Sequence, residues 1–241
     1  MFNHMKERWS RFRHHGKKTW NFFWNDDSIW SWLANIVVAF LVIRFIVYPV
    51  LGLLLGTSYP IVAVISESMD HGGTEFCIEF QNGECIQYSG DILTICGQKV
   101  KEFPESFDNY WDFCGQWYES NGITKEEFKT FSFKNGFRKG DVILLWRANE
   151  KNLKVGDILI FKGNKVPPII HRIVKIWDEE GEKYYQTKGD HNNGQISGTY
   201  GEEKIGSERI LGKGVIRIPY LGWLKILFVD AVKPLGINIQ R

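Results

Sequence analysis

The chain has 241 residues, and its 30 basic and 28 acidic side chains leave a formal charge of only +2. This length is sufficient for one substantial domain with additional segments. The balanced charge argues against a bulk electrostatic function, so we expect no nucleic-acid partner. The charges are unevenly distributed, however, because residues 1–27 are basic and aromatic and a long apolar run follows them.

The apolar run predicts a transmembrane anchor over residues 28–56. The stretch 29–56 is almost uniformly apolar and is interrupted by Arg44 and Pro49, and about 20 apolar residues cross a hydrocarbon core of roughly 30 Å. The basic segment before it predicts a cytoplasmic N-terminus. Residues 57–241 would then form the external domain of a single-pass protein in the cell membrane. A cleaved signal peptide, which has a shorter apolar run, and a buried core helix are the alternatives.

The external domain is predicted to be mainly antiparallel β structure, because β-prone runs recur and helical periodicity is scarce. These runs lie at 61–65, 140–145, 156–161, 169–174, 183–188 and 212–218. Gly-Asp turns begin the second and third of them. The segment 220–232 is too short and too charged to span a bilayer, and it could equally dock on the membrane surface or pack on the domain.

Residues 71–138 differ in composition and are predicted to be an inserted subdomain that contains helices. Aromatic residues at helical spacing predict a helix over 102–120, and Thr124 is a capping residue at the start of another. The four cysteines of the chain all lie in this segment, at Cys77, Cys85, Cys96 and Cys114. An even number outside the cytoplasm predicts disulfides, with three connectivities open. Zinc is the alternative, although no Cys-x-x-Cys pair occurs.

Ser68 is a candidate nucleophile by its position. It lies about a dozen residues past the anchor, which keeps it within roughly 40 Å of the membrane even in an extended chain. Ser66 lies two residues earlier, and on a β-like run its hydroxyl would share a face with Ser68. The Ser66 hydroxyl and the Ser68 N–H would then form an oxyanion hole. A polar turn after a strand is the alternative, and spacing alone favours it.

A nucleophilic serine needs a base, and the base needs an orienting polar group. His171 lies in an apolar strand, where a lone histidine is more often a core residue than a catalyst. Asp190 lies in a Gly-Asp-x-Asn-Asn segment, which by default is a turn. His191 beside it is a rival base, and His71 is expected in a surface loop.

Several short motifs occur in order along the chain. They are SESM at 66–69, KGDV at 139–142, VGDILIF at 155–161, IHRIV at 170–174, TKGDHN at 187–192, ILGKGV at 210–215 and PYLG at 219–222. This series closely resembles the type I signal peptidases, in particular the archaeal and endoplasmic-reticulum branch. The resemblance covers most of residues 30–225 except the cysteine-rich segment. The ordered set after an anchor is highly specific.

The resemblance implies a serine endopeptidase with Ser68 as nucleophile, His171 as general base and Asp190 as the third member of the triad. The bacterial branch has lysine where this branch has histidine, and Ser66 matches the position that assists the oxyanion hole. Many relatives carry a further acidic residue about six or seven positions after the aspartate of the Gly-Asp-x-Asn box. Those positions hold isoleucine and serine here, so Asp190 is the candidate for the third role.

The resemblance also implies cleavage of signal peptides from exported preproteins after small residues at −1 and −3. Ile65, Met69 and residues near Leu144 are candidate pocket walls, and an extended substrate would add a strand at the site edge. No metal or organic cofactor is expected. The expected partners are signal peptides, the lipid membrane and the secretion machinery. Two other functions remain open: a non-catalytic anchored module that binds exported or envelope proteins, and a related protease for one dedicated surface protein.

Overall fold

The chain forms two units, which are described separately. In this computed structural model the described residues are 20–81, 84–102, 104–163, 167–199, 201–223 and 226–227. The first unit comprises Met1–Leu54 and the second comprises Leu55–Arg241. The first therefore contains nearly all of the apolar run, and the second contains every candidate site residue.

A long apolar helix dominates the first unit. It consists of α1 (Ile29–Val42), a π-helical turn (Ile43–Val47) and α2 (Tyr48–Leu55). Pro49 has no N–H and cannot complete the preceding α-helical turn, which explains the π turn directly before α2. The combined helix has 27 residues and a mean hydropathy of 2.5. Within the described part of the chain, it is the one helix long and apolar enough to cross a membrane.

The second unit is mainly antiparallel β structure, as predicted. Its strands are β1 (Ile61–Ala63), β2 (Thr74–Gln81), β3 (Glu84–Ile95), β4 (Gln98–Val100), β5 (Val142–Trp146), β6 (Ile158–Phe161), β7 (Ile169–Glu179), β8 (Glu182–Lys188) and β9 (Ile210–Ile218). They form a six-stranded sheet in the order β1-β5-β9-β6-β7-β8 and a three-stranded sheet in the order β2-β3-β4. The pairings in both sheets are antiparallel.

Two Gly-Asp turns start two strands of the large sheet. A carboxylate oxygen of Asp141 accepts a hydrogen bond from the Arg138 N–H at 2.8 Å. Asp157 accepts one from the Lys154 N–H at 2.9 Å in the same way. The glycine before each aspartate has a φ of 90° or 91°, in the left-handed region that favours glycine. These turns lead directly into β5 and β6, as the sequence predicts.

The core beneath the nucleophile turn packs side chains of β5 and β6 against the chain that follows β1. Its buried members are Val64, Met69, Phe137, Ile143, Leu145, Ile158 and Ile160. Met69 is only 1% exposed and directly follows the candidate nucleophile. Burial of this side chain therefore fixes the Ser68 turn to the large sheet.

The inserted subdomain combines the three-stranded sheet with α3 (Phe107–Ser120) and α4 (Lys125–Lys129). α3 begins at Phe107 rather than at residue 102, because the Ser106 hydroxyl caps it by accepting a hydrogen bond from an N–H of the first turn at 3.2 Å. The Thr124 hydroxyl caps α4 in the same way. The predicted α-containing insertion is therefore confirmed.

A disulfide between Cys96 and Cys114 joins the end of β3 to α3. Cys77 is also disulfide-bonded. The Cys96–Cys114 bond excludes the zinc alternative for those two residues, because their sulfur atoms are bonded to each other. The prediction of disulfides in the insertion is therefore confirmed.

The segment 220–232 is described only at 220–223 and 226–227. Trp223 packs against Gly140, and Ile226 is 7% exposed, so this part packs on the domain. Tyr220 and Leu227 remain largely exposed.

Candidate active site

Ser68 lies in the turn that follows β1. The Asp70 N–H donates to the Glu67 carbonyl at 2.9 Å and closes this turn. The hydroxyl oxygens of Ser68 and Ser66 are hydrogen-bonded to each other at 3.2 Å. The structure therefore brings the two predicted serines together, on a turn that Met69 holds to the core.

His171 lies on β7, where it pairs with Leu159 of β6, and only 3% of the residue is exposed. Its Nδ1 is hydrogen-bonded to a carboxylate oxygen of Glu202. Because an ionised carboxylate only accepts hydrogen bonds, Nδ1 carries the proton and donates it. The other ring nitrogen, Nε2, then presents a lone pair, and this is the tautomer that a general base requires.

Gly189 marks the space between the histidine and the serine. A Cβ placed on Gly189 would lie 2.7 Å from His171 Nε2 and 2.8 Å from the Ser68 carbonyl oxygen. The imidazole nitrogen and the serine backbone therefore flank one narrow gap that tolerates no side chain. Within the described residues, the Ser68 hydroxyl is hydrogen-bonded to Ser66 and not to His171. Hydrogen bonds between a nucleophile and its base are often long without substrate and shorten in the complex.

Glu202 is held rigidly behind the histidine. Its carboxylate accepts hydrogen bonds from the Thr187 hydroxyl at 3.0 Å and from the Ile196 N–H at 2.7 Å. Its backbone carbonyl accepts one from the Thr187 N–H at 3.0 Å. An antiparallel bridge between Tyr185 and Ile205 places this segment along the outer edge of β8. Glu202 is 0% exposed, so its carboxylate has a fixed orientation toward the imidazole.

Sequence reasoning did not predict Glu202. The expected acidic positions, 196 and 197, hold isoleucine and serine, and the next carboxylate in the chain is Glu202. The residue at position 196 still contacts the site, because the Ile196 N–H donates a hydrogen bond to the Glu202 carboxylate. The signal that could have found Glu202 is residue order, since it is the first carboxylate after the Gly-Asp-x-Asn box.

Asp190 lies in a different environment from the predicted one. Its Oδ1 accepts hydrogen bonds from Arg172 Nε and from the Tyr118 hydroxyl, both at 2.9 Å. Its Oδ2 accepts from an Arg172 guanidinium nitrogen at 2.6 Å and from His71 Nε2 at 2.8 Å. His171 is not among these partners. The expectation that Asp190 orients His171 therefore does not match the geometry, because Arg172 and His71 occupy the carboxylate instead.

The buried ion pair of Asp190 and Arg172 ties β7 to the insertion. Burial alone would raise the pKa of the Asp190 carboxyl, but the Arg172 charge and the hydrogen bonds from His71 and Arg172 outweigh it and hold the pKa well below its usual range. Arg172 is 0% exposed and also donates to three backbone carbonyls at 2.7 to 2.9 Å. Each charge therefore compensates the other away from solvent.

His71 is buried, so its expected position in a surface loop is wrong. It is 8% exposed, and its ring stacks on Tyr110 with the ring centroids 3.6 Å apart. Burial lowers the pKa of His71, although the hydrogen bond to Asp190 acts in the opposite direction. His71 therefore links the nucleophile turn to the buried ion pair.

His191, the rival base, has both ring nitrogens engaged. Nδ1 lies 3.1 Å from the Asp70 carbonyl oxygen and Nε2 lies 3.2 Å from the Thr74 hydroxyl. Its backbone N–H donates to the Ser68 carbonyl at 2.9 Å. His191 thus contacts the nucleophile turn through its backbone.

Among the residues that the structure describes, no group of three His, Cys, Asp or Glu could hold a metal ion.

The predicted pocket walls differ in their accessibility. Met69 is buried in the core beneath the nucleophile turn, so it does not offer a surface to substrate. Ile65 and Leu144 are half-buried and keep part of their side chains accessible. Apolar surface therefore remains available from Ile65, three residues before Ser68, and from Leu144, which pairs with Ile61 at the start of β1.

Curated relatives of the chain are catalytic subunits of signal peptidase complexes. The SEC11 subunit of Lachancea thermotolerans is 36% identical over 101 residues, which are 39% of this chain and 60% of that protein. The SEC11 subunit of Zygosaccharomyces rouxii is 35% identical over 100 residues, or 39% and 59% of the two chains. Human SEC11C is 30% identical over 107 residues, or 42% and 55%. The chain is thus similar to the SEC11 catalytic subunits over 100 to 107 residues.

The match to SEC11 confirms the predicted resemblance to the endoplasmic-reticulum branch of the type I signal peptidases. The chain spans at most 60% of the length of these SEC11 proteins. No family model matches the chain. The SEC11 relationship agrees with the site, where a histidine rather than a lysine faces the Ser68 turn.

Proposed function

We propose that this protein is a membrane-anchored serine endopeptidase that cleaves signal peptides from exported preproteins. The observation that carries the proposal is the arrangement of His171, with Nδ1 on Glu202 and Nε2 beside the Ser68 turn. A buried carboxylate, an oriented imidazole and an adjacent serine are the parts of a triad hydrolase. The homology to signal peptidase catalytic subunits supports the substrate class.

The proposed reaction starts with proton transfer. His171 Nε2 takes the proton of the Ser68 hydroxyl while its oxygen forms a bond to the scissile carbonyl carbon. The Ser66 hydroxyl and the Ser68 N–H donate hydrogen bonds to the resulting oxyanion. The Glu202 carboxylate accepts the Nδ1–H of the imidazolium and stabilises its positive charge, so we assign the orienting role to Glu202 and not to Asp190.

The intermediate then breaks down in two steps. His171 gives its proton to the leaving amine, the C–N bond breaks, and the mature protein departs while the signal peptide remains as an ester on Ser68. Water, deprotonated by His171, attacks this ester and returns the Ser68 hydroxyl. Besides this water and the substrate, these steps use only side chains and backbone groups of the chain.

We propose that substrate binds in an extended form along β1. β1 lies at one end of the large sheet, and the opposite end, β8, is bridged by the segment that carries Glu202. A peptide added to the β1 edge would run toward the Ser68 turn, which follows that strand. Ile65 and Leu144 are then the candidate walls for the small residues at −1 and −3.

We also propose the membrane arrangement. The apolar helix Ile29–Leu55 serves as a single-pass anchor in the cell membrane, with the basic segment 1–27 on the cytoplasmic side and the catalytic domain on the external face. Helix length and hydropathy support the anchor. The SEC11 relatives are subunits of complexes, which supports association with the secretion machinery.

The full chain in detergent micelles is expected to cut a preprotein that carries alanine at −1 and −3. Replacing the −1 alanine of the substrate by tryptophan is expected to lower kcat/KM by roughly 100-fold, because a shallow apolar pocket rejects the large ring. Mass spectrometry of the new N-terminus gives the cleavage position. Absence of cleavage from a folded sample across several preproteins would favour the non-catalytic module. Cleavage confined to one surface protein would favour the dedicated protease.

Gly189→Ala is expected to lower kcat about 100-fold, since the new methyl group meets His171 Nε2 and the Ser68 backbone, and small displacements of reacting groups have costs of this size. Gly194→Ala is the matched control, because a Cβ there meets no atom within 4 Å. Steady-state kinetics with the preprotein measure both variants. Equal activity of the two variants would contradict the assigned position of the base.

A further inference from the structure

The inserted subdomain contacts the loop that carries Gly189, Asp190 and His191. The Tyr118 hydroxyl donates to the Asp190 carboxylate at 2.9 Å, and the Tyr110 hydroxyl donates to the Asp190 backbone carbonyl at 3.0 Å. Both tyrosines lie on α3 and are 0% exposed. Side chains of the insertion therefore hold both the side chain and the backbone of one loop residue.

Further contacts join the insertion to the same loop. The N–H of Cys96, whose sulfur is bonded to α3, donates to the His191 carbonyl at 2.9 Å. The Lys188 ammonium group donates to the Gly189 carbonyl at 3.0 Å and lies 4.9 Å from the centre of the Tyr118 ring. The loop is thus held along its length by α3 and by the end of β3, which the disulfide attaches to α3.

This loop in turn positions the reacting groups. The His191 N–H donates to the Ser68 carbonyl at 2.9 Å, the Asp190 N–H lies 3.4 Å from the Met69 sulfur, and Gly189 faces His171 Nε2. A shift of the loop would therefore move the serine turn relative to the imidazole. The path from the tyrosine hydroxyls to the nucleophile passes through two adjacent loop residues, Asp190 and His191, and one backbone hydrogen bond from His191 to Ser68.

We propose that Tyr110 and Tyr118 are positioning residues for the proposed peptidase, acting through the 189–191 loop to hold Ser68 against His171. The inserted subdomain then contributes to catalysis by holding the 189–191 loop in place. This inference rests on the proposed function, because it assigns these residues a role in the reaction at Ser68.

The two hydroxyls are suited to this role. Burial, followed by the charge of Asp190, raises the pKa of both tyrosines well above its usual value. Both hydroxyls therefore stay protonated at neutral pH and remain donors there. Replacement by phenylalanine removes the donor and leaves the volume of the ring in place, so packing around the ring is preserved.

The test measures how fast Ser68 reacts with a small fluorophosphonate probe that makes no peptide contacts. Ser68 oxygen bonds to phosphorus, fluoride leaves, and His171 takes the hydroxyl proton. Tyr110→Phe and Tyr118→Phe are each expected to lower the second-order rate about tenfold, and the double variant about 100-fold. The labelled fraction at the end should stay complete, because the protein remains folded. With a preprotein, kcat should fall while KM is unchanged.

Tyr185→Phe is the matched control. Tyr185 is also 0% exposed, but its hydroxyl has no hydrogen-bond partner in the described part of the chain. We expect its labelling rate to equal that of the wild type. The proposal is overturned if the Tyr110 and Tyr118 variants also react at the wild-type rate, or if only their labelled fraction falls. Labelling of Ser68→Ala as fast as the wild type would instead overturn the proposed function itself.

Discussion

Ser68→Ala and His171→Ala are each expected to abolish preprotein cleavage. Each substitution removes one partner of the first proton transfer, and losses of this kind lower kcat by roughly 10⁵-fold or more. The rate of appearance of the mature N-terminus, measured with the full chain in micelles, tests both. Ser68→Ala should keep the melting temperature, because within the described residues the serine hydroxyl bonds only to the exposed Ser66. His171→Ala removes one of the hydrogen-bond partners of the buried Glu202 carboxylate, so His171→Asn, which retains a donor, is the companion variant.

Ser120→Ala is the control for these substitutions. The Ser120 hydroxyl lies at the exposed end of α3 and donates to the carbonyl of Trp117 at 2.9 Å, so its removal should leave the cleavage rate unchanged. Retention of more than a small fraction of the wild-type rate by Ser68→Ala would contradict the assignment of the nucleophile. Loss of activity in Ser120→Ala as well would point to damage of the whole domain.

The large sheet follows from local rules that the sequence displays. The Gly-Asp turns predict strands at 140–145 and 156–161 because glycine supplies the left-handed turn residue and aspartate accepts a backbone N–H. The strands observed there begin directly after each aspartate. The start of α3 was predicted too early. The periodicity of aromatic residues does not show where a helix begins, and here the capping residue Ser106 sets the first helical residue at Phe107.

The site was predictable in part. The nucleophile turn and the histidine strand carry motifs at fixed positions, and they come together because β1 and β7 belong to the same sheet. Glu202 reaches the imidazole from beyond the loop that follows Asp190, and a search at six or seven positions after Asp190 stops short of it. The partner of Asp190 was equally hidden, because Arg172 follows His171 directly and on a strand the two side chains point to opposite faces.

Glu202→Gln is expected to lower kcat by roughly 10³- to 10⁴-fold with little change in KM. The amide can donate to Nδ1 as well as accept from it, so the imidazole is no longer held in the tautomer that leaves Nε2 free for the serine proton. Glu203→Gln is the matched control, since Glu203 is exposed and its carboxylate accepts from the Ser197 hydroxyl. Steady-state kinetics with the preprotein measure kcat and KM of the two variants. Equal rates would return the orienting role to another carboxylate.

Asp190→Asn tests whether Asp190 supports the fold rather than orienting His171. It leaves the Arg172 charge buried and only partly compensated, which is expected to lower the free energy of unfolding by about 3–5 kcal/mol. The pKa of Asp190 is depressed in the folded chain, so its contribution is complete above the ordinary aspartate pKa of about 3.9 and is lost as the pH falls further. Urea unfolding from pH 7 to pH 3 should therefore show the wild type approaching the variant at low pH. A variant that keeps full stability would contradict the structural role of the ion pair, because breaking a buried ion pair must lower the free energy of unfolding.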